Sequence, residues 1–210
     1  MALVHPDPYS EVEAPQLRRW TVREFIRLNK LGFLGNEDEH WELLDGEIVK
    51  KMGQGEPHVF GVLLAMDALR VAFGEGFFLA PQLPLLWGQV DGPEPDLTLV
   101  SGKTRDYEVR KLLTSDVALV VEVANTRLDT ARGKKVGGYA RLGIVEYWIV
   151  DLQGRSLEVR RGPQPETDNW IETRIYKEGE SVTPLRAATP VSVDSLLPRK
   201  AATDKRSKKS

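Results

Sequence analysis

The pattern of polar and apolar residues near the start of this chain predicts a helix, followed by a pair of strands. Thr21 is a suitable N-cap for a first helix, and Glu24, three residues later, completes a capping box. Within residues 41–49, two strand-like runs flank the pair Asp45-Gly46. Because Asp-Gly fits the tight turns that join antiparallel strands, the sequence predicts a β-hairpin here.

Two longer helices are predicted further along. The second begins at Pro57, which suits a first helical turn, and ends at Gly74 or Gly76. Its apolar periodicity is formed by Phe60, Leu63, Leu64, Leu69 and Phe73. The third helix is predicted over residues 128–142, with Gly143 after it.

Strand patterns fill the rest of the chain. They cover residues 77–87, 96–100, 117–123, 145–150, 156–161 and 170–176. Residues 117–123 are almost uninterruptedly apolar, which is typical of a strand in a sheet covered on both faces. The order strand, helix, strand over residues 117–150 predicts a βαβ unit. We therefore expect an α/β fold with a central mixed β-sheet flanked by helices.

Length and composition favour one folded domain. The chain has 210 residues, of which 41% are hydrophobic and 29% charged. We expect a flexible segment at residues 1–15, a folded domain at 16–197 and a basic disordered tail at 198–210. The absence of cysteine excludes disulfide scaffolds, thiolate zinc sites and cysteine nucleophiles. No apolar run reaches the roughly 18 residues of a membrane span, so a cytoplasmic protein is expected.

The charge of the chain is unevenly distributed. The net charge is −2, yet residues 199–210 hold six Lys/Arg and a single Asp. One interpretation of this tail is a solubilising terminus. The other is an arm that contacts phosphates without sequence preference.

Two acids at predicted strand ends are the first candidates for chemistry. Glu122 interrupts an apolar strand, and an unpaired buried carboxylate costs several kcal/mol, so it is protonated, ion-paired or bound to a cation. Asp96 lies at the start of another strand, after Pro93 and Pro95. If the two carboxylates converge, they form the oxygen-rich site that Mg²⁺ or Mn²⁺ prefers. The structural alternatives are an ion pair for Glu122 and a turn cap for Asp96.

Helical phase distinguishes two adjacent lysines. Lys135 falls on the apolar stripe formed by Leu128, Ala131, Tyr139 and Leu142. It is therefore placed to direct its ammonium group at Glu122. The alternative is that its side chain extends to the solvent-exposed rim of the helix packing surface. Lys134 is turned about 100° away. It shares its face with Arg127, Thr130, Gly138 and Arg141, which is expected to be a solvated surface.

These residues together resemble a known family. The segments PEPDLTLV, VVEVAN and GIVEYWIVD, with a helix carrying Lys135 and Tyr139, are similar to the Uma-two family of restriction endonucleases in the PD-(D/E)XK superfamily. The similarity includes the WELLDGEIVKKM hairpin and spans about residues 20–152. It implies a restriction-endonuclease-like fold, with Asp96 and Glu122 as metal ligands and Lys135 as the active-site lysine. Position 124, where the superfamily usually has its lysine, is Ala.

The resemblance adds two further candidates and some departures. It assigns Glu42 to a recurrent acid that completes the metal shell, the alternative being a solvent-facing strand residue. His58 is a candidate catalytic base, the alternative being a capping or surface histidine. The family often has an Asp/Ser-Ser element after the strand, where this chain has Asn125. It also often has an Asp four residues before the lysine, where this chain has Ala131, and Asp129 is an imperfect substitute for that Asp.

The sequence therefore predicts an endonuclease that uses Mg²⁺ or Mn²⁺ to hydrolyse DNA. Asp96 and Glu122 would hold the metal, while Lys135 would orient water or offset charge on the phosphorus. A homodimer is expected because cutting both strands of a duplex needs two sites. A nuclease-fold module that binds nucleic acid or a protein but has lost efficient catalysis is the main alternative, motivated by Asn125 and Ala131. A purely structural βαβ domain with ion-paired acids is the third.

Overall fold

The computed structural model describes residues 17–35, 39–51, 55–125 and 130–200, apart from the side chains of residues 130–132. The helices are α1 (Val22–Lys30), α2 (Glu56–Phe73) and α3 (Thr130–Arg141). The strands are β1 (Trp41–Leu44), β2 (Glu47–Lys50), β3 (Phe77–Pro81), β4 (Leu97–Ser101), β5 (Val117–Ala124), β6 (Glu146–Asp151), β7 (Ser156–Gln164), β8 (Asn169–Lys177), β9 (Ser181–Val182) and β10 (Val191–Ser192). Short 3₁₀ turns cover Thr104–Glu108, Thr114–Asp116 and Val193–Leu196.

A six-stranded sheet with the order β3-β4-β5-β6-β7-β8 forms the centre of the molecule. Strands β5 and β6 are parallel and α3 connects them, whereas the other neighbouring pairs are antiparallel. One apolar cluster packs α2 against the sheet, and a second cluster packs α3 against it. Strand β5 is buried along almost its whole length between them. The predicted mixed sheet flanked by helices is confirmed.

The local signals at the start of the chain are confirmed. Thr21 caps α1 and forms both hydrogen bonds of a capping box with Glu24. Asp45 and Gly46 join β1 to β2 with φ angles of 51° and 75°. Both angles lie in the left-handed region that a type I′ turn requires, which is why Asp-Gly is favoured there.

The predicted strand over residues 77–87 is too long, because β3 ends at Pro81. Gln82 has a φ of 50°, a left-handed conformation that turns the chain away from the sheet. Pro84 then lacks the N–H that a continuing strand would need.

The apolar periodicity of α2 does not match its buried side, since Phe60 and Leu63 are exposed. The buried side of α2 is formed instead by His58, Gly61, Ala65, Leu69, Ala72 and Phe73. Small residues allow the helix to approach the sheet closely: a Cβ at Gly61 would lie 2.8 Å from Val123 Cγ1. The predicted apolar stripe is therefore right at Leu69 and Phe73 and wrong at Phe60 and Leu63.

None of the helices in the described ranges combines the length and apolar character needed to cross a bilayer.

Candidate active site

The candidate site lies where β4 begins and β5 ends. The antiparallel register pairs Leu97 with Val121, which sets Asp96 opposite Glu122 on the neighbouring strand. The backbone N–H of Val123 donates a hydrogen bond of 2.9 Å to Asp96 Oδ2. Two acids that are 26 residues apart in the sequence are therefore brought together by sheet pairing.

Asp96 is buried among groups that favour its ionised form. His58 Nε2, from the first turn of α2, lies 2.9 Å from Asp96 Oδ2, and Lys51 Nζ lies 3.2 Å from Oδ1. Burial opposes the charge of Asp96. The contacts with His58, Lys51 and the Val123 N–H outweigh that effect and lower the pKa of Asp96 to about 2. Asp96 is thus an anion at neutral pH.

Lys135 is buried between two further carboxylates. Its Nζ lies 2.9 Å from Glu122 Oε1 and 3.0 Å from Glu42 Oε2. Glu42 is also buried and accepts a hydrogen bond of 3.1 Å from the Glu94 backbone N–H. Glu42 is therefore not the solvent-facing residue of the alternative interpretation, and Lys135 does not reach the rim.

His58 likewise lies inside the cluster. It is buried in α2, whose N-cap is Gly55, so it neither caps the helix nor lies on the surface. Its Nδ1 has no hydrogen-bond partner in the described part of the protein. The structure thus brings all five predicted site residues together, namely Glu42, His58, Asp96, Glu122 and Lys135.

Glu122 and Lys135 form an ion pair, but their pKa values are set by different effects. Burial raises the pKa of Glu122 to about 7; Lys135 opposes this effect, while Asp96 and Glu42 reinforce it. The pKa of Lys135 is raised despite its burial, because Glu122, Glu42 and Asp96 all favour its charge. The lysine therefore stays cationic, whereas Glu122 holds its proton up to near neutral pH. Tyr139 OH donates a hydrogen bond of 2.6 Å to Glu122 Oε1, and burial raises the Tyr139 pKa well above its usual value.

The raised pKa of Glu122 makes the free energy of unfolding depend on pH. Between pH 4.5 and about 7 the folded protein keeps a proton on Glu122 that the unfolded chain has lost. Without metal, stability should therefore fall by up to about 3 kcal/mol as pH rises through this range. Glu122→Gln should lose that part of the dependence. Urea unfolding of the wild type and of Glu122→Gln, in EDTA at pH 5 and pH 8, measures how the free energy of unfolding changes with pH. An identical change in both proteins would contradict the raised pKa of Glu122.

The neighbouring Lys134 lies outside the cluster. Its side chain is 28% exposed, against 8% for Lys135, and its Nζ pairs with Glu47 Oε2 at 2.5 Å. The helical phase predicted for the two lysines is therefore confirmed.

The prediction that the face of α3 around Lys134 is solvated is wrong in part. Arg141 forms two hydrogen bonds to Asp91, at 2.6 and 2.9 Å, and a third to Asp168 at 2.6 Å. Gly138 is buried, and a Cβ there would lie 3.1 Å from Asp91 Oδ1. This part of α3 is covered by the loop that contains Asp91, a tertiary contact that helical phase does not predict.

Asp91 also fixes the hairpin that carries Glu42. The buried Asp91 carboxylate accepts a hydrogen bond of 2.9 Å from the Asp45 N–H. One residue further, the Gly46 N–H donates to Val90 O at 2.8 Å. Asp91 thus joins the hairpin turn to α3 through Arg141, which places Glu42 beside Lys135.

Lys51 and Glu94 belong to the site but were missed as candidates. Lys51 Nζ lies 3.1 Å from Glu94 O and 3.6 Å from Glu94 Oε1, in addition to its contact with Asp96. Glu94 could have been found, because it lies two residues before Asp96 in the same Pro-Glu-Pro-Asp segment. No local signal distinguishes Lys51 from its neighbour Lys50, whose side chain is exposed.

The donor set fits a divalent cation by charge and chemistry. Four carboxylates and two ammonium groups meet here, namely Glu42, Glu94, Asp96 and Glu122 with Lys51 and Lys135. Two negative charges remain when all four carboxylates are ionised, and burial, reinforced by Asp96 and Glu42, raises the pKa of Glu122. Oxygen donors of this kind suit Mg²⁺ or Mn²⁺. Within the described ranges, no three acidic or histidine side chains lie close enough together to hold a metal ion as they stand.

Several predicted features lie outside the described residues. They are the segment 1–15, residue 16, Arg127, Leu128, Asp129, the side chains of Thr130 and Ala131, and the tail beyond residue 200. The domain boundaries therefore stay a prediction.

Comparison with known proteins agrees with this architecture. The Uma2 family model, described as "Putative restriction endonuclease", matches residues 22–194. A crystal structure from Anabaena variabilis, described as a "putative nuclease", has a TM-score of 0.66 at 17% identity, covering 84% of this chain and 96% of that one. At this identity the structural likeness shows the fold alone. No curated protein matches the chain.

Proposed function

Since the chain belongs to the Uma2 family, described as "Putative restriction endonuclease", we propose that it is an endonuclease that uses Mg²⁺ or Mn²⁺ to hydrolyse DNA phosphodiester bonds. Membership of this family supports a nuclease. The observation that carries the finer proposal is the pairing of Asp96 and Glu122 across adjacent strands, with the buried ammonium of Lys135 against Glu122.

Each residue has a role that follows from its contacts. Asp96 and Glu122 would hold the cation, and Glu42 would complete the carboxylate set from β1. When bound there, such a cation would supply Lewis-acid activation of water and would neutralise phosphate oxygens. Lys135 stays charged in a buried position, so it orients the attacking water or offsets negative charge on the phosphorus. His58 orients Asp96 through Nε2, and its buried Nδ1, which has no partner among the described residues, would be the proton acceptor if Nε2 carries the ring proton.

The direct test is cleavage of plasmid and of short oligonucleotides by the purified chain. We expect products on a gel in Mg²⁺ or Mn²⁺ and none in EDTA. Single-stranded, double-stranded and RNA substrates in parallel would establish the preferred substrate. Cleavage that persists in EDTA would contradict the proposal.

A second candidate function has one specific observation in its favour. Lys51 Nζ lies 3.2 Å from Asp96 Oδ1, so the predicted ligand is already ion-paired. Together with Asn125 and Ala131, this contact favours a nuclease-fold module that binds nucleic acid or a protein with little catalysis. Calorimetric titration with Mn²⁺ separates the two functions, because only the nuclease needs metal at this site.

The basic tail provides a further prediction about nucleic-acid binding. Deleting Arg199 to Ser210 removes six Lys/Arg, so binding at low salt should weaken and its salt dependence should flatten as fewer counterions are released. Fluorescence anisotropy with a labelled oligonucleotide, over a series of salt concentrations, measures both effects. An unchanged slope of log affinity against log salt would identify the tail as a solubilising terminus. Equal unfolding curves for the two chains would confirm that folding is unaffected.

A further inference from the structure

Strand β8 forms one edge of the central sheet and is uncovered along its middle. Residues 171–175 are all exposed, whereas the flanking Trp170 and Tyr176 are buried. Ile171 is 76% exposed and Ile175 54%, although both are large apolar residues that strands usually bury. At the other edge, β3 is half-buried and ends at Pro81. An uncovered edge with apolar side chains is a surface on which a further strand can pair.

The sequence of β8 is chemically complementary to itself when reversed. In an antiparallel pairing of two copies centred on Thr173, that residue faces its own copy. Ile171 then faces Ile175, and Glu172 faces Arg174. Apolar and opposite-charge pairs directly across two strands are the arrangements that stabilise an antiparallel sheet.

The charged pair is available for this contact. Glu172 and Arg174 are both exposed, and neither forms a salt bridge within the part of the chain that is described. Arg174 stacks on the ring of Tyr176, with its guanidinium carbon 4.6 Å from the ring centroid. This stacking holds the Arg174 side chain next to its own strand, close to the position that faces Glu172 of a second copy.

We propose that two copies of this chain associate through β8, in antiparallel register about Thr173, to form a two-fold symmetric dimer with one continuous sheet. A two-fold axis at the centre of a strand makes each contact occur twice, as in an isologous interface. The proposal rests on the exposure and complementarity of β8 and is independent of the proposed nuclease function.

Charge reversal tests the register of the proposed pairing. Glu172→Arg places two arginines opposite each other at both ends of the interface, and Arg174→Glu does the same with two glutamates. Each single variant should raise the dimer dissociation constant at least about tenfold. The double variant restores opposite charges and should dimerise again. An equimolar mixture of the two single variants should form a heterodimer, because their charges are then complementary.

Sedimentation velocity of the full chain over a wide range of concentrations measures these states. Glu75→Arg, an exposed acid in the turn before β3, is the matched control and should dimerise like the wild type. Thermal unfolding checks that each variant is folded, and Glu172→Arg keeps the stacking of Arg174 on Tyr176. A wild type that stays monomeric at all concentrations would overturn the proposal. Single variants that dimerise like the wild type would also overturn it.

Discussion

Replacing Asp96 or Glu122 by alanine should lower metal-dependent cleavage at least about a hundredfold, since each substitution removes a charged oxygen ligand. The loss should appear in single-turnover rates at saturating substrate, and Mn²⁺ titration should show weaker binding in both variants. The two acids are expected to act together because the β4–β5 register places them opposite each other.

Controls separate lost chemistry from lost folding. Asp96→Asn and Glu122→Gln keep the shape of each side chain and should lose cleavage nearly as fully. Glu122→Gln should also be no less stable than the wild type at pH 8 without metal, because it removes a carboxylate whose pKa is raised to about 7. Asp67→Ala, on the exposed side of α2, should cut like the wild type. Normal cleavage by a folded Asp96→Ala or Glu122→Ala would remove that residue from the proposed metal site.

The second large effect separates two adjacent lysines. Lys135→Ala should lose the chemical step while still binding Mn²⁺. The variant should bind the metal at least as tightly as the wild type, because a positive charge beside Glu122 and Glu42 has gone. Lys134→Ala should cut nearly as well as the wild type, because it removes only a partly exposed pair with Glu47. Single-turnover cleavage of one oligonucleotide by both variants, with calorimetric Mn²⁺ titration, measures the two effects.

Lys135 is buried, so its removal leaves two carboxylates without their shared partner. Lys135→Met keeps the apolar stem and removes only the ammonium group, which makes it the variant to use if Lys135→Ala unfolds. A larger loss in Lys134→Ala than in a folded Lys135 variant would contradict the assignment of the active-site lysine.

Local signals predicted the features that depend on only a few neighbouring residues. The capping box of Thr21 and Glu24 and the Asp45-Gly46 turn are set by backbone geometry within four residues, so they form as predicted. Helical phase separated Lys135 from Lys134 for the same reason, since it depends on a fixed rotation of about 100° per residue.

Predictions failed where burial depends on a partner rather than on spacing. In α2, the large apolar residues were expected to form the buried side. Close packing on β5 instead buries the stripe that contains Gly61 and Ala65. On α3, Arg141 was expected in solvent, but the loop carrying Asp91 covers it. In both cases the helix itself was predicted correctly, and the partner surface determined which of its residues are buried.

The sequence by itself determined the order of the three helices and of β1 to β8, though not the short strands β9 and β10. It also determined the acids at the ends of β4 and β5 and the lysine that faces them, because strand alternation and helical rotation are local. Only the tertiary structure decided that Lys51 and Glu94 join Asp96, and that Glu42 shares Lys135 with Glu122. These contacts depend on docking of the β1–β2 hairpin, which Asp91 and Arg141 hold against α3. Such long-range pairing depends on the positions of several segments in space, which no spacing along the chain encodes.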